Sequence, residues 1–235
     1  MHKNTIDEDR VFEINPNYSV TLKRFGPTKQ NVVIVDDFYA DPWAVRKLAL
    51  DIPASRNRRI RGNNPAWRVN AFYELDNMAW IFDQLGRTYF PEVVNSYPPN
   101  FMEESFKRAT FMVNVMQTDD LPPICPHMDN TSGRNLAATI YLNEQNECAG
   151  GTSFYTFGGE TFYSDPTITH TYDIEGTMPV TKYINDSIHD WEMIGMVPMQ
   201  FNRMVLYNQA MLHTAYVKPG MFTEDVYRLN QQFFI

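Results

Sequence analysis

From residue 107 onward the chain is written in short runs of β-branched and aromatic residues separated by Pro, Gly, Asn and Asp, and this texture limits the folds open to it. Residues 109–116 (Ala-Thr-Phe-Met-Val-Asn-Val-Met), 136–142 (Leu-Ala-Ala-Thr-Ile-Tyr-Leu), 151–157 (Gly-Thr-Ser-Phe-Tyr-Thr-Phe), 204–207 (Met-Val-Leu-Tyr) and 226–235 each have strand length, and no long helical pattern falls between them. Sixteen Phe, thirteen Tyr and fifteen Pro suit pleated surfaces and the turns that join them. The pattern predicts a double-sheet jelly roll, an architecture whose mouth commonly holds a metal. Residues 158–200 read as a polar insert punctuated by Pro and Gly, and a loop of that length is expected to act as a lid or binding loop.

The preceding part reads differently. Residues 1–30 are polar and broken by Pro16, Gly26 and Pro27, so they predict an N-terminal arm with at most an edge strand. Residues 31–107 supply a β-branched strand (Asn-Val-Val-Ile-Val-Asp-Asp-Phe) and two supporting helices. The first helix opens with Asp41 as cap and Pro42 in its first turn; the second spans 76–89, with Met78, Ile81, Phe82 and Leu85 on one face. Between them lies a basic cluster from Arg56 to Arg68, readable as a solvated loop or as a rim that recruits an acidic substrate. The expected fold class is mainly β with flanking helices (α+β): a double-stranded β-helix core over 108–235 with N-terminal helical support, one structural domain overall.

A net charge of −8 and the lack of any long basic run argue against a generic nucleic-acid binder. No apolar run reaches membrane-spanning length and the N-terminus has no apolar signal core, so no membrane association and a cytoplasmic location are expected. Two cysteines, Cys125 and Cys148, exclude a disulfide framework and a thiolate metal site; Cys125 reads as a small packing residue. Nothing in the sequence opposes a homodimer.

The chemistry lies in a few residues. His127 and Asp129 stand two apart in Pro-His-Met-Asp-Asn, a spacing that on a strand turns both side chains to one face. His213 follows Asp129 by 84 residues, after an apolar strand. Two imidazoles and one carboxylate can hold Fe(II) on one face of its octahedron and leave adjacent positions open. Arg228 sits in an alternating terminal strand, where a charged side chain pointing inward needs a partner. That partner is either an Asp or Glu of the chain or the carboxylate of a bound 2-oxo acid, which the guanidinium fork suits. Tyr141 is placed to put a phenol beside it. His2, His170 and His189 lack strand context and are read as non-ligands.

In the order Pro-His-Met-Asp-Asn, Ala-Thr-Ile-Tyr-Leu-Asn, Gly-Gly-Thr-Ser-Phe-Tyr, Phe-Asn-Arg-Met-Val-Leu-Tyr and His213, residues 108–235 resemble the Fe(II)/2-oxoglutarate-dependent oxygenases, most closely their prolyl-hydroxylase-like branch. The segment Val-Val-Ile-Val-Asp-Asp-Phe-Tyr-Ala-Asp-Pro-Trp-Ala-Val resembles the opening of uncharacterised bacterial and phage members. The resemblance implies that His127, Asp129 and His213 bind iron, that Arg228 and Tyr141 hold the C5 carboxylate of 2-oxoglutarate, and that Gln232 also faces this co-substrate. The implied activity is a dioxygenase that takes 2-oxoglutarate and O2, releases succinate and CO2, and hydroxylates an amino acid, a peptidyl side chain or a small metabolite. Retention of Asp129 disfavours halogenation. The 15 residues from His213 to Arg228 imply an extra loop at 218–225, and Asn114, Met116 and Gln117 stand where prolyl hydroxylases often place a tyrosine. The alternatives are a non-catalytic cupin-like module that binds a metal or small ligand, and another cupin-type metalloenzyme such as a Zn(II) or Mn(II) isomerase.

Overall fold

The computed structural model describes residues 7–52, 66–71, 73, 75–107, 111–118, 121, 124–129, 135–159, 183–188, 190–223 and 225–235. Apart from the main chain of 66–68, the Arg56–Arg68 cluster lies outside the described residues, as do His2, His170, His189 and the middle of the expected insert. The elements, in chain order, are α1 Glu8–Val11, β1 Ser19–Phe25, β2 Gln30–Asp36, α2 Pro42–Asp51, β3 Ala66–Ala71, α3 Ala79–Tyr89, α4 Pro91–Val94, α5 Phe101–Lys107, β4 Phe111–Met116, β5 Leu136–Tyr141, β6 Gly151–Phe157, β7 Trp191–Pro198, β8 Met204–Asn208, β9 His213–Tyr216 and β10 Arg228–Phe234.

Among the described residues, two antiparallel sheets carry the fold. The large one has seven strands in the order β1-β2-β8-β5-β10-β4-β3, and the small one has three in the order β7-β6-β9. An isolated bridge between His127 and His213 extends the small sheet past β9. The period of two along each strand divides the side chains between two cores. On the large sheet, Val33, Val35, Ala138, Ile140, Leu206, Leu229 and Phe233 face the helices. Val32, Ile34, Ala137, Tyr141, Val205 and Tyr207 face the small sheet, against Phe154 and Val197. Covered on both sides, all six residues of β5 are buried, which accounts for its unbroken Leu-Ala-Ala-Thr-Ile-Tyr run.

The helical layer follows its local signals. The Asp41 carboxylate accepts a hydrogen bond from the Ala44 N–H at 3.0 Å and caps α2, whose first residue is Pro42. In α3, Ile81, Phe82 and Leu85 are buried. The Phe82 ring packs 4.9 Å from Phe106 of α5 and 5.2 Å from Phe233 of β10, tying the helices to the sheet. Truncation of such a buried ring to Ala costs roughly 3–5 kcal/mol. Among the described residues no helix is long and apolar enough to cross a membrane.

Within 1–30, Phe12 is fully buried, with its ring 5.3 Å from that of Phe111, and β1 is an edge strand of the large sheet, paired with β2 over seven residues. Isolated apolar residues in a polar stretch show no periodicity, and their burial comes from contacts far along the chain. The insert expected over 158–200 contains β7, which pairs with β6 across a register shift between Phe154 and Tyr155. Its alternation is hidden because Gly195 takes a core-facing position: a Cβ there would meet the Phe25 ring at 2.5 Å.

Candidate metal centre

β9 begins at His213, whose main chain exchanges two hydrogen bonds with His127, each of 2.9 Å. Two residues on, the Asp129 N–H donates to the Gln209 carbonyl at 2.9 Å. Gln209 is itself fixed by a 2.7 Å bond from its amide to the Leu136 carbonyl. Between the two candidate ligands, Met128 turns the other way and packs against Tyr155, Ile184, Trp191 and Leu212. The strand-like alternation inferred from Pro-His-Met-Asp-Asn therefore brings His127 and Asp129 together and directs Met128 elsewhere.

One ligand atom from each of His127, Asp129 and His213 lies within 4.8 Å of the other two. The Asp129 carboxylate stands 3.7 Å from Nε2 of His127 and 3.3 Å from Nε2 of His213. Nδ1 of His213 lies 2.8 Å from the Met211 carbonyl. A carbonyl oxygen only accepts, so Nδ1 carries the proton in the neutral ring and Nε2 keeps its lone pair towards Asp129. Burial alone lowers the affinity of this ring for a second proton, but the charge and hydrogen bond of Asp129 and the Met211 carbonyl outweigh it and raise the His213 pKa above 6.5. His213 is buried, whereas 35% of the His127 side chain remains exposed, so one flank of the cluster is open.

Arg228 is buried at the start of β10. Its Nη1 donates to Oδ1 of Asn230 at 2.6 Å, its Nη2 lies 3.4 Å from the Gly151 carbonyl, and its guanidinium carbon is 5.6 Å from the centre of the Tyr141 ring. Among the described residues no carboxylate pairs with it. Two donors here, Nε of Arg228 and Nδ2 of Asn230, are buried without a hydrogen-bond partner. The Tyr141 hydroxyl shares a 2.7 Å hydrogen bond with Oγ1 of Thr152; burial raises its pKa, and Arg228 opposes the rise.

The arginine and the His-Asp-His cluster share one interior. Gly151 and Phe154 lie on β6, and Phe154 is in register with His213, so Arg228 meets β6 about 10 Å along the strand from the histidine. Tyr207 lies in the same interior, its ring centre 4.7 Å from that of His213. Burial, then the negative charge of Asp129, holds its phenol well above the ordinary value. Gln232 shares the inward face of β10 with Arg228 and Asn230, but lies about 13 Å further along the strand, opposite Met112 and Thr139. Sequence reasoning missed Asn230 and Tyr207. Asn230 carried a usable signal, since it stands two residues past Arg228 on a strand and so shares its face.

Cys125 is half-buried and packs against the cluster around Met128, as a small packing residue would. The loop at 218–225 turns at Gly220, with φ of 77°, and returns Phe222 to the core, where Phe222 and Thr118 exchange main-chain and hydroxyl hydrogen bonds.

No curated protein matches the chain at a significant level. Its shape is similar to the crystal structure of SnoK, a non-heme alpha-ketoglutarate-dependent carbocyclase from nogalamycin biosynthesis, with a TM-score of 0.46 and 13% identity over 88% of this chain and 79% of that one. Residues 16–228 match the family of unknown function DUF6445, and the chain belongs to that family.

Proposed function

We propose that this protein is an Fe(II)- and 2-oxoglutarate-dependent dioxygenase built on a double-stranded β-helix, hydroxylating an amino acid, a peptidyl side chain or a small metabolite. The order in which the chain visits its sheets supports the jelly-roll reading. From β4 through the His127 bridge to β10 the visits run large, small, large, small, small, large, small, large.

The observation that carries the function is the combination of a His-Asp-His cluster with a buried arginine that, among the described residues, pairs with no carboxylate. The donor set fits a divalent cation of intermediate softness: two imidazole nitrogens and one carboxylate oxygen, with His213 held in the ligating tautomer by Met211. The unpartnered donors of Arg228 and Asn230 fit an anionic acceptor. Together, bound iron and 2-oxoglutarate would supply the oxidation, in which O2 is consumed, succinate and CO2 are released and a substrate C–H becomes C–OH.

Each residue then has a task that its surroundings explain. His127, Asp129 and His213 would hold the metal, with Asp129 offsetting part of its charge. Arg228 and Asn230 would receive the distal carboxylate of the 2-oxo acid, with the Tyr141 ring beside the guanidinium. Phe154, Tyr207 and Met116 belong to the apolar cluster of this interior and would limit water around the reacting groups. The primary substrate is proposed to enter at the open flank beside His127, and the acidic composition favours neither nucleic acid nor membrane as partner.

The test is Fe(II)-dependent formation of succinate from 2-oxoglutarate under O2, with and without small-molecule and peptide pools, using His127→Ala as control. Turnover abolished in the variant supports the reading. Wild-type protein that binds neither Fe(II) nor 2-oxoglutarate would sink it.

A further inference from the structure

We propose that Asn143 is the positioning residue of the Arg228 anchor, acting as a surrogate strand that pins the main chain on both sides of the arginine. The proposal rests on the reading of Arg228 as the group that receives the distal carboxylate of 2-oxoglutarate.

β5 ends at Tyr141, and the last main-chain rung that joins this segment to β10 is the 3.0 Å bond from the Leu142 N–H to the Leu229 carbonyl. Beyond it the Asn143 side chain continues the ladder. Its Oδ1 accepts from the Leu229 N–H at 2.7 Å, and its Nδ2 donates to the Tyr227 carbonyl at 2.7 Å. A carboxamide offers the same donor and acceptor as a peptide group, so one buried side chain replaces one residue of strand. On its other edge β10 pairs with β4, where Arg228 stands opposite Met116. The arginine is therefore gripped from two sides at the point where its strand begins, a place where strands otherwise fray.

The clamp is itself held. Asn143 is fully buried, and its Nδ2 also lies 3.4 Å from Oε2 of Glu147. The same carboxylate accepts from the Glu144 N–H at 3.0 Å and pairs with Nη2 of Arg46 at 2.9 Å. Nη1 of Arg46 donates to the Leu142 carbonyl at 2.8 Å. A chain of polar contacts thus runs from α2 through Glu147 to Asn143 and reaches the main chain of residues 227 and 229. It ties α2 to the orientation of Arg228. Misplacement of an anchoring group by a fraction of an ångström is enough to weaken a bidentate contact.

The experiment uses the full chain loaded with Mn(II) and compares two ligands, 2-oxoglutarate and 2-oxobutyrate, which lacks the distal carboxylate. Dissociation constants are measured for the wild type, Asn143→Ala and Asn143→Asp, alongside the affinity for Mn(II) itself. In Asn143→Ala the preference for 2-oxoglutarate over 2-oxobutyrate is expected to fall about tenfold, while Mn(II) affinity stays within twofold. Asn143→Asp keeps the acceptor for Leu229 but not the donor to Tyr227, and is expected to fall between. Should the alanine variant fail to fold, the aspartate variant decides. Equal weakening of both acids, a parallel loss of Mn(II), or an unchanged preference overturns the clamp. A wild type that shows no preference for the longer acid overturns the anchor reading of Arg228 instead, and the clamp with it.

Discussion

The main chains of His127 and His213, separated by most of the core, donate hydrogen bonds to each other reciprocally at 2.9 Å, and their rings lie 4.7 Å apart. A pair of this kind fixes two candidate ligands relative to one another before any ion arrives. The third, Asp129, is set by its own bond to Gln209, so the cluster depends on main-chain geometry rather than on flexible side chains.

Removal of the carboxylate is predicted to leave two imidazoles without the anionic member of the set. Asp129→Ala should weaken Mn(II) or Fe(II) binding by more than about 100-fold, as first-coordination groups matter at least as much as the residues that orient them. Equilibrium dialysis under anaerobic conditions measures this, and retained affinity would show that the metal, if bound, sits elsewhere.

Arg228→Gln is predicted to lower affinity for 2-oxoglutarate by roughly 10- to 150-fold, the equivalent of about 1.5–3 kcal/mol for a hydrogen bond to a charged group. Metal affinity should be unchanged, because Arg228 meets β6 at Gly151 rather than at the His213 end of that strand. Isothermal titration with each ligand separates the two effects.

The metal-free and metal-loaded proteins are predicted to respond to pH in opposite senses. In the metal-free state the His213 pKa is raised above 6.5 because Asp129 and Met211 together outweigh burial. A folded-state value above the unfolded one stabilises the protein fully below the unfolded value, and that contribution is lost as pH rises through the folded value. The metal-free Tm should therefore gain relative to Asp129→Asn on moving from about pH 8.5 to about pH 6. The increment in Tm produced by Mn(II), which needs the neutral ring, should shrink over the same interval. Thermal melts of both proteins with and without Mn(II) check both signs.

Tyr39→Phe is predicted to destabilise the fold by about 1–3 kcal/mol without altering metal affinity. The fully buried Tyr39 hydroxyl donates to Oε1 of Gln231, whose Nε2 already lacks a partner on the helix-facing side of β10. Without the phenol, both polar atoms of the Gln231 amide are left buried and unpaired. Urea unfolding measures the loss, and a change below a few tenths of a kcal/mol would show that the core relaxes around the amide.

The legible features were those written within a few residues of one another. The cap and first-turn proline of α2, the strand at β5, and the shared face of His127 and Asp129 all follow from local periods and propensities. Where one residue breaks the period, as Gly195 does in β7 by lacking a side chain, the strand disappears from the sequence although it is present in the sheet. Phe12 escaped for a related reason, since a lone aromatic says nothing of the ring it will meet at Phe111.

By itself, the sequence determined which residue types were available and which faces they shared: two histidines, a carboxylate and an arginine on strands with inward-facing positions. Only the tertiary structure decided that His127 and His213 lie in register, that no described carboxylate neutralises Arg228, and that Asn143 completes the ladder beside it. Backbone period acts over two to four residues and can be read along the chain. Pairing, burial and the satisfaction of polar groups are settled by contacts between segments 80 or more residues apart, such as those from Asn143 to Tyr227 and from His127 to His213, and exist only once the sheets have closed.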